Sequence, residues 1–315
     1  MKKIQKVLFM GSKKLGLAVL REMHRLAPAA LAGALTVDDS ADSRSVLADM
    51  KAFTSANGIN LHIACNRKQA EESVLSVRPD ICIVAGWYWL ISKQTLKSVP
   101  DGFIGIHNSL LPEYRGGSPL IWAVINGERK VGVSLFTFTE GMDDGPVWAQ
   151  GAVSVGAADY IADILIKLEN KAAEVIRLNY LRILNRAVKP VAQDKSCVTY
   201  CAQRFPADGN VDWSKPAKCV FNFIRAQSEP YPGAFTWLGH EKMNIWRAAV
   251  FNKKYYGTPG QVARIDADGV YVICGNNRAI ILKEIELAGK RGFVGDIVKS
   301  IKIRFSAVPA KSKTI

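Results

Sequence analysis

Residues 81–107 read ICIVAGWYWLISKQTLKSVPDGFIGIH. Two five-residue runs, Ile81–Ala85 (ICIVA) and Phe103–His107 (FIGIH), are apolar at every position up to the closing histidine. A run with no polar alternation has no wet face. It fits a strand covered on both sides, as in parallel sheets flanked by helices. Towards the N-terminus the same alternation repeats. Residues 6–10 (KVLFM), Leu31–Val37 and Leu61–Ala64 read as strands, and residues 15–26, 45–56 and 68–77 carry helical spacing. Towards the C-terminus, residues 131–138 and 147–155 read as neighbouring strands, followed by a long helix over 159–184 and an irregular linker over 185–206. The expected fold is α/β, with a Rossmann-like, mostly parallel sheet and right-handed connections.

The chain has 315 residues, 49% of them hydrophobic and 22% charged, enough for two domains each with its own core. Beyond residue 205 the pattern changes. One short helix over 217–226 precedes five β-like runs, at 234–238, 242–251, 260–265, 269–274 and 279–286, punctuated by Gly and Asn. These predict a small barrel, and the tail after Phe305 is expected to fray. The expected domains are residues 1–190 and 205–310.

No run of about 18 apolar residues is present, so no membrane span or membrane partner is expected. The short N-terminal apolar stretch does not match a signal peptide, which predicts a cytoplasmic protein. Six scattered cysteines without a CxxC pair predict buried or incidental thiols rather than a metal site. The net charge is +14: residues 1–200 carry 24 Lys and Arg against 19 Asp and Glu, and residues 201–315 carry 18 against 9. The basic second part suits either a polyanion or simple solubility.

Chemistry concentrates between residues 103 and 150. His107 closes a strand, and ligands of open α/β sheets bind beyond strand carboxyl ends. Glu140-Gly141-Met142-Asp143-Asp144-Gly145-Pro146 offers a carboxylate between glycines. Histidine with carboxylate is a general acid/base pair. Ser109 lies in no GxSxG elbow, so direct group transfer is favoured over a covalent enzyme intermediate.

The run HNSLLPEYRGGSPLIWAVINGERKVGVSLFTFTEGMDDGPVWAQ resembles the core of the folate-dependent formyltransferases, with SLLPxYRG and GMDxGP as its signature. The resemblance continues past this core: residues 205–213 resemble the family's entry to a second, OB-like barrel domain, and residues 231–235 and 257–260 resemble that domain's later turns. It implies formyl transfer from 10-formyltetrahydrofolate, as co-substrate, to an amine. It implies His107 and Asp143 as catalytic residues. The family's third catalytic residue is an Asn two before the His, and here that position is Gly105. Asn108 is the candidate replacement, provided the strand turns there. The resemblance also implies pterin binding by residues 84–91, placing Gly86, Trp87, Tyr88, Trp89 and Leu90 at the cofactor with Gly141, Met142 and Arg115. Arg115 serves as an anion contact or as a loop brace. The resemblance leaves the acceptor open. A nucleotide-linked amino sugar is favoured, because residues 38–45 after the second strand are short and acidic where tRNA formylators carry a basic insertion. Methionyl-tRNA is the alternative partner. A non-catalytic folate- or nucleotide-sugar-binding relative is a third reading, because of Gly105, and an RNA-binding module using the basic barrel is a fourth. Oligomeric state is not legible.

Overall fold

The computed structural model describes residues 3–309, which divide into two compact units. The first unit contains residues up to Pro119, Lys130–Ser154 and Leu165–Ala202. Its sheet is built from β1 (Val7–Gly11), β2 (Leu31–Val37), β3 (Leu61–Ala64), β4 (Ile81–Ala85) and β5 (Phe103–His107). A two-residue strand follows, β6 (Arg115–Gly116), then β7 (Lys130–Thr137) and β8 (Val147–Ser154). The sheet order is β3-β2-β1-β4-β5-β7-β8. The first five strands pair in parallel, and β7 and β8 join antiparallel. β1 and β4 are buried at every position, as their continuous apolar runs require. The order reverses between β1 and β4, the point where open α/β sheets open a crevice at their carboxyl edge.

Helices α1 (Lys13–Leu26), α2 (Leu47–Ala56), α3 (Arg67–Val77) and α4 (Lys93–Ser98) connect the parallel strands. Ser12 precedes α1, but its hydroxyl donates to Gly86 O at 2.6 Å instead of capping the helix. A Cβ on Gly11 would lie 2.2 Å from Ala85 O, so only glycine lets the ends of β1 and β4 approach this closely.

The second unit takes residues 120–129 and 155–164 as well as everything described from residue 203 onward. It therefore holds most of α5 (Pro119–Asn126) and the first turn of α6 (Ile161–Leu184). The linker over 185–206 is not structureless: β9 (Tyr200–Cys201) lies parallel to β6. After α7 (Ala217–Gln227) come β10 (Ala234–Leu238), β11 (Glu241–Lys254), β12 (Val262–Asp266), β13 (Gly269–Cys274), β14 (Arg278–Leu287) and β15 (Lys290–Phe293). These pair antiparallel in the order β10-β11-β14-β13-β12, with β15 on β14. Register shifts in β11 bend that long strand.

The expected fraying after Phe305 does not begin at Ser306, while residues 307–309 are exposed. Ser306 bridges Trp237 of β10, Arg304 bridges Gln261 next to β12, and Phe305 is buried between them. Residues 304–306 thereby join the two open edges of the sheet into a barrel. The last residues of the tail, 310–315, lie outside the described residues. Tyr160, Trp213, Ile224, Ile245, Leu282 and Phe305 belong to the barrel's core.

Candidate active site

β5 carries His107 to the carboxyl edge of the first sheet, and there the chain bends at Asn108 and Ser109. The imidazole is 9% exposed, and its Nε2 lies 2.8 Å from Tyr114 O. A carbonyl oxygen only accepts, so Nε2 carries the proton in this bond. Nδ1 faces Asp143 Oδ2 at 3.7 Å and is the nitrogen left to exchange a proton. Phe136 closes one side edge-on, with ring centroids 6.1 Å apart. The shortest contact on the ring is thus the Tyr114 carbonyl, which sequence reading missed because a backbone group leaves no residue-type signal.

The loop from 108 to 118 is pinned from below. The buried Ser134 hydroxyl donates to Ser109 O at 2.7 Å and accepts from Leu111 N at 2.9 Å and Gln150 Nε2 at 2.8 Å. Ser109 spends its own hydroxyl on Glu113 O at 2.6 Å. Tyr114, Gly116 and Ser118 all adopt positive φ (57°, 102° and 53°). Such backbone persists for non-glycine residues only where its surroundings hold it.

Here the holding comes from the strap 193–201. Tyr114 N donates to Thr199 Oγ1 at 2.8 Å, Arg115 N to Thr199 O at 2.9 Å, and Gly117 N to Cys201 O at 3.0 Å. Gln193 is the strap's central residue. Its Nε2 donates to Asp143 O at 2.8 Å and Gly145 O at 2.7 Å, while its Oε1 accepts from Arg115 Nε at 3.1 Å and Nη2 at 2.7 Å. Asp143 itself has φ 48°, and its Oδ2 also accepts from Gly116 N at 2.8 Å. Cys201 sits beside this carboxylate, and burial first, then the Asp143 charge, push its thiol up to about 11.

The departure at Gly105 has a physical counterpart. A Cβ there would lie 1.9 Å from Phe138 Cε1. Residues 105 and 107 share one face of β5, so the Phe138 ring fills the space that a side chain at 105 would take beside His107. Phe138 stacks tilted on Phe136 at 5.2 Å and packs on the core under the sheet. Sequence reading placed Phe138 in the strand. β7 ends one residue earlier, and Phe138 N instead donates to Phe103 O at 2.8 Å. Asn108, the candidate replacement, lies on the bend, and its buried Oδ1 has no partner among the described residues.

The segment 86–90 splits into two environments. Trp87 and Trp89 meet edge-on at 5.5 Å and pack against the core. Tyr88 is half exposed. Its hydroxyl reaches Asp39 Oδ2 at 3.1 Å, and Lys13 Nζ lies 5.0 Å from its ring centroid. Lys13 also pairs with Asp39 at 2.7 Å and Asp42 at 2.8 Å, and Arg44 pairs with Asp42 at 2.8 Å, so two cations close this acidic turn. Leu90 and Met142 are exposed, at 86% and 59%. Gly141 and Met142 flank the site on the Asp143 loop, where a Cβ on Gly141 would clash with Asp144 Oδ2 at 2.2 Å. Among the described residues no group of three or more His, Cys, Asp or Glu could hold a metal ion, and no helix is long and apolar enough to cross a membrane.

This geometry is a histidine–carboxylate pair on a sheet edge, held by a backbone under tension. The formyl transferase family profile matches residues 40–179, and the profile of the formyl transferase C-terminal domain matches residues 205–296. Methionyl-tRNA formyltransferase of Bacillus velezensis is 31% identical over 225 residues, covering 71% of each chain. Methionyl-tRNA formyltransferase of Acetivibrio thermocellus is 27% identical over 292 residues, covering 91% of this chain and 93% of its own. The chain belongs to the formyl transferase family and is an enzyme of that class. Among solved structures, the N-formyltransferase of Helicobacter canadensis, in complex with folinic acid and dTDP-3-aminofucose, shares its fold. Its TM-score is 0.67 at 16% identity, over 88% of this chain and 98% of its own.

Proposed function

We propose that this enzyme moves a formyl group from N10 of 10-formyltetrahydrofolate to the amine of a nucleotide-linked sugar. His107 Nδ1 takes the proton that the attacking nitrogen loses. Asp143 Oδ2, 3.7 Å away, balances the resulting imidazolium, and Tyr114 O keeps the ring oriented through Nε2. His107 returns the proton to N10 as the carbon–N10 bond breaks. The carboxamide of Asn108 holds the formyl oxygen as charge gathers on it. The donor in that role is its Nδ2–H; the buried, partnerless Oδ1 is an acceptor and serves the N–H of the attacking amine, not the formyl oxygen. Residues 86–90 take the pterin, with Leu90 and Met142 as its apolar cover and Gly86 and Gly141 leaving the backbone accessible.

The observation that carries the acceptor is the acidic turn at the end of β2. Asp39 and Asp42 are closed by Lys13 and Arg44, and Asp38, which accepts from the Ser40 hydroxyl at 2.7 Å, leaves the turn one carboxylate in excess. This turn repels a nucleic-acid backbone at the sheet edge. The second reading, methionyl-tRNA, rests on the +9 charge of residues 201–315 and on the relatives' names.

The test is formyl transfer to a panel of nucleotide-linked 3-amino and 4-amino sugars, with charged initiator methionyl-tRNA in parallel. Turnover of a sugar that is lost in His107→Ala and Asp143→Ala supports the reading. Turnover of the tRNA alone replaces the acceptor and keeps the chemistry. Folate binding without turnover of any acceptor refutes the transfer and leaves a binding protein.

A further inference from the structure

Beside the Asp143 loop the first unit has a cavity of about 500 Å³, lined by Arg115, Asp144, Gln193, Lys195, Val198 and Tyr200 among others. Arg115 is only 6% exposed. A buried guanidinium requires a countercharge or a full set of acceptors. Arg115 has neither among the described residues. Its side chain makes two hydrogen bonds, both to the neutral Gln193 Oε1, and no carboxylate lies within 4.0 Å. A guanidinium carries five N–H donors, so most of its donor capacity is unspent. The Tyr200 ring, 65% exposed, lies 6.0 Å from its Cζ. Lys195 is exposed on the same rim and pairs with no carboxylate among the described residues. The one acidic lining residue, Asp144, is occupied by the Thr139 hydroxyl on its own turn.

We infer that this cavity is a binding site for an anionic group of phosphate or carboxylate class, with Arg115 as its buried charge and Lys195 at its rim. The guanidinium fork matches both oxyanions in geometry, and burial strengthens such bonds over exposed ones. The site deepens the formyl-transfer reading and rests on it only for which substrate brings the anion: the diphosphate of the acceptor or the glutamate tail of the donor. The Gln193 amide links the two sites, because its oxygen holds Arg115 while its nitrogen holds the Asp143 and Gly145 carbonyls. An anion on Arg115 therefore sits one side chain away from the catalytic loop.

The experiment uses the full chain. Inorganic pyrophosphate, a nucleoside diphosphate, and folates bearing one or several γ-linked glutamates are titrated by calorimetry at low salt, into wild type and Lys195→Glu. Lys195→Glu reverses an exposed rim charge and leaves the fold untouched. Arg115→Gln is the second variant, with its folding checked by circular dichroism. One stoichiometric anion site that weakens about tenfold or more in Lys195→Glu supports the inference. In turnover assays, a raised KM for the nucleotide-linked acceptor at unchanged kcat assigns the site to the acceptor's phosphates. A raised KM that grows with the number of glutamates assigns it to the donor's tail. Either result supports the shared chemistry. Absence of binding by every anion overturns it, as does Lys195→Glu with unchanged binding and unchanged KM for both substrates. Arg115 would then be a brace for Gln193 alone. Folate binding measured on the same samples separates this failure from failure of the formyl-transfer reading.

Discussion

Returning an asparagine to position 105 sets two demands against each other. Its Cβ would overlap the Phe138 ring, with 1.9 Å to Cε1 and 2.6 Å to Cζ, so the ring must leave its seat against Phe136. Overpacking of this kind costs about 1–3 kcal/mol. Phe138→Ala alone empties the seat. A fully buried Phe→Ala costs about 3–5 kcal/mol, and this partly buried ring falls at or below the lower end. In the double variant Gly105→Asn/Phe138→Ala the new carboxamide occupies the vacated space. The cycle should therefore show a favourable coupling of about 1–2 kcal/mol, within the range for residues in contact. Urea unfolding of the four proteins measures it. The same four proteins give kcat. Adding a well-placed donor to the formyl oxygen is worth about 10²–10³ in rate where none exists, and far less where Asn108 already serves. The reasoning is refuted if the two substitutions are additive in stability, since the ring and the absent side chain would then not share one space. A large gain in kcat for the double variant would instead refute the assignment of Asn108.

Three further outcomes follow from the same structure. Gln193→Ala removes both amide donors from the Asp143 loop, and kcat should fall about tenfold or more at a donor KM within twofold of wild type; Gln193→Glu, which pairs with Arg115 but faces two carbonyls with an anion, should not rescue it. Glu22 is held down to about 2 by Arg25 and Arg177, against 4.5 for a free glutamate. Its stabilisation is complete above about pH 4.5 and is lost as pH falls towards 2, so Glu22→Gln should unfold at lower denaturant than wild type at pH 7 and converge on it under acid. The Cys201 thiol, at about 11, should carry ~100-fold less thiolate at pH 8 than one at 9.0, and iodoacetamide labelling followed by mass spectrometry should find it alkylated correspondingly slowly.

β4 and β5 were readable because burial on both faces writes an apolar run, and they begin and end where those runs do; β2 and the edge strand β3, which holds His62 and an exposed Ile63, also kept their expected bounds. Elements whose residues carry no such pattern escaped. β15 is KRGF and α4 is KQTLKS, both short and mostly polar. The histidine and the aspartate were legible as residue types at a strand end and between glycines. What aligns them was not. Gln193 acts through backbone carbonyls 50 and 48 residues earlier, and the polar stretch around it reads as linker. Phe138 escaped because one residue of strand boundary decides whether its ring continues the sheet or folds back over Gly105.

The barrel's closure by residues 304–306 sets an order on synthesis. The first unit needs nothing beyond residue 202, so all its parts are present while the barrel's strands are still being made. Residues 120–129 and 155–164 belong to the later unit, and Tyr160 is buried in the barrel's core. Tyr160 finds its partner at Ala248 of β11, which accepts from and donates to its hydroxyl at 2.9 Å. Until that strand is made, Tyr160 waits on the nascent chain without the core that will cover it.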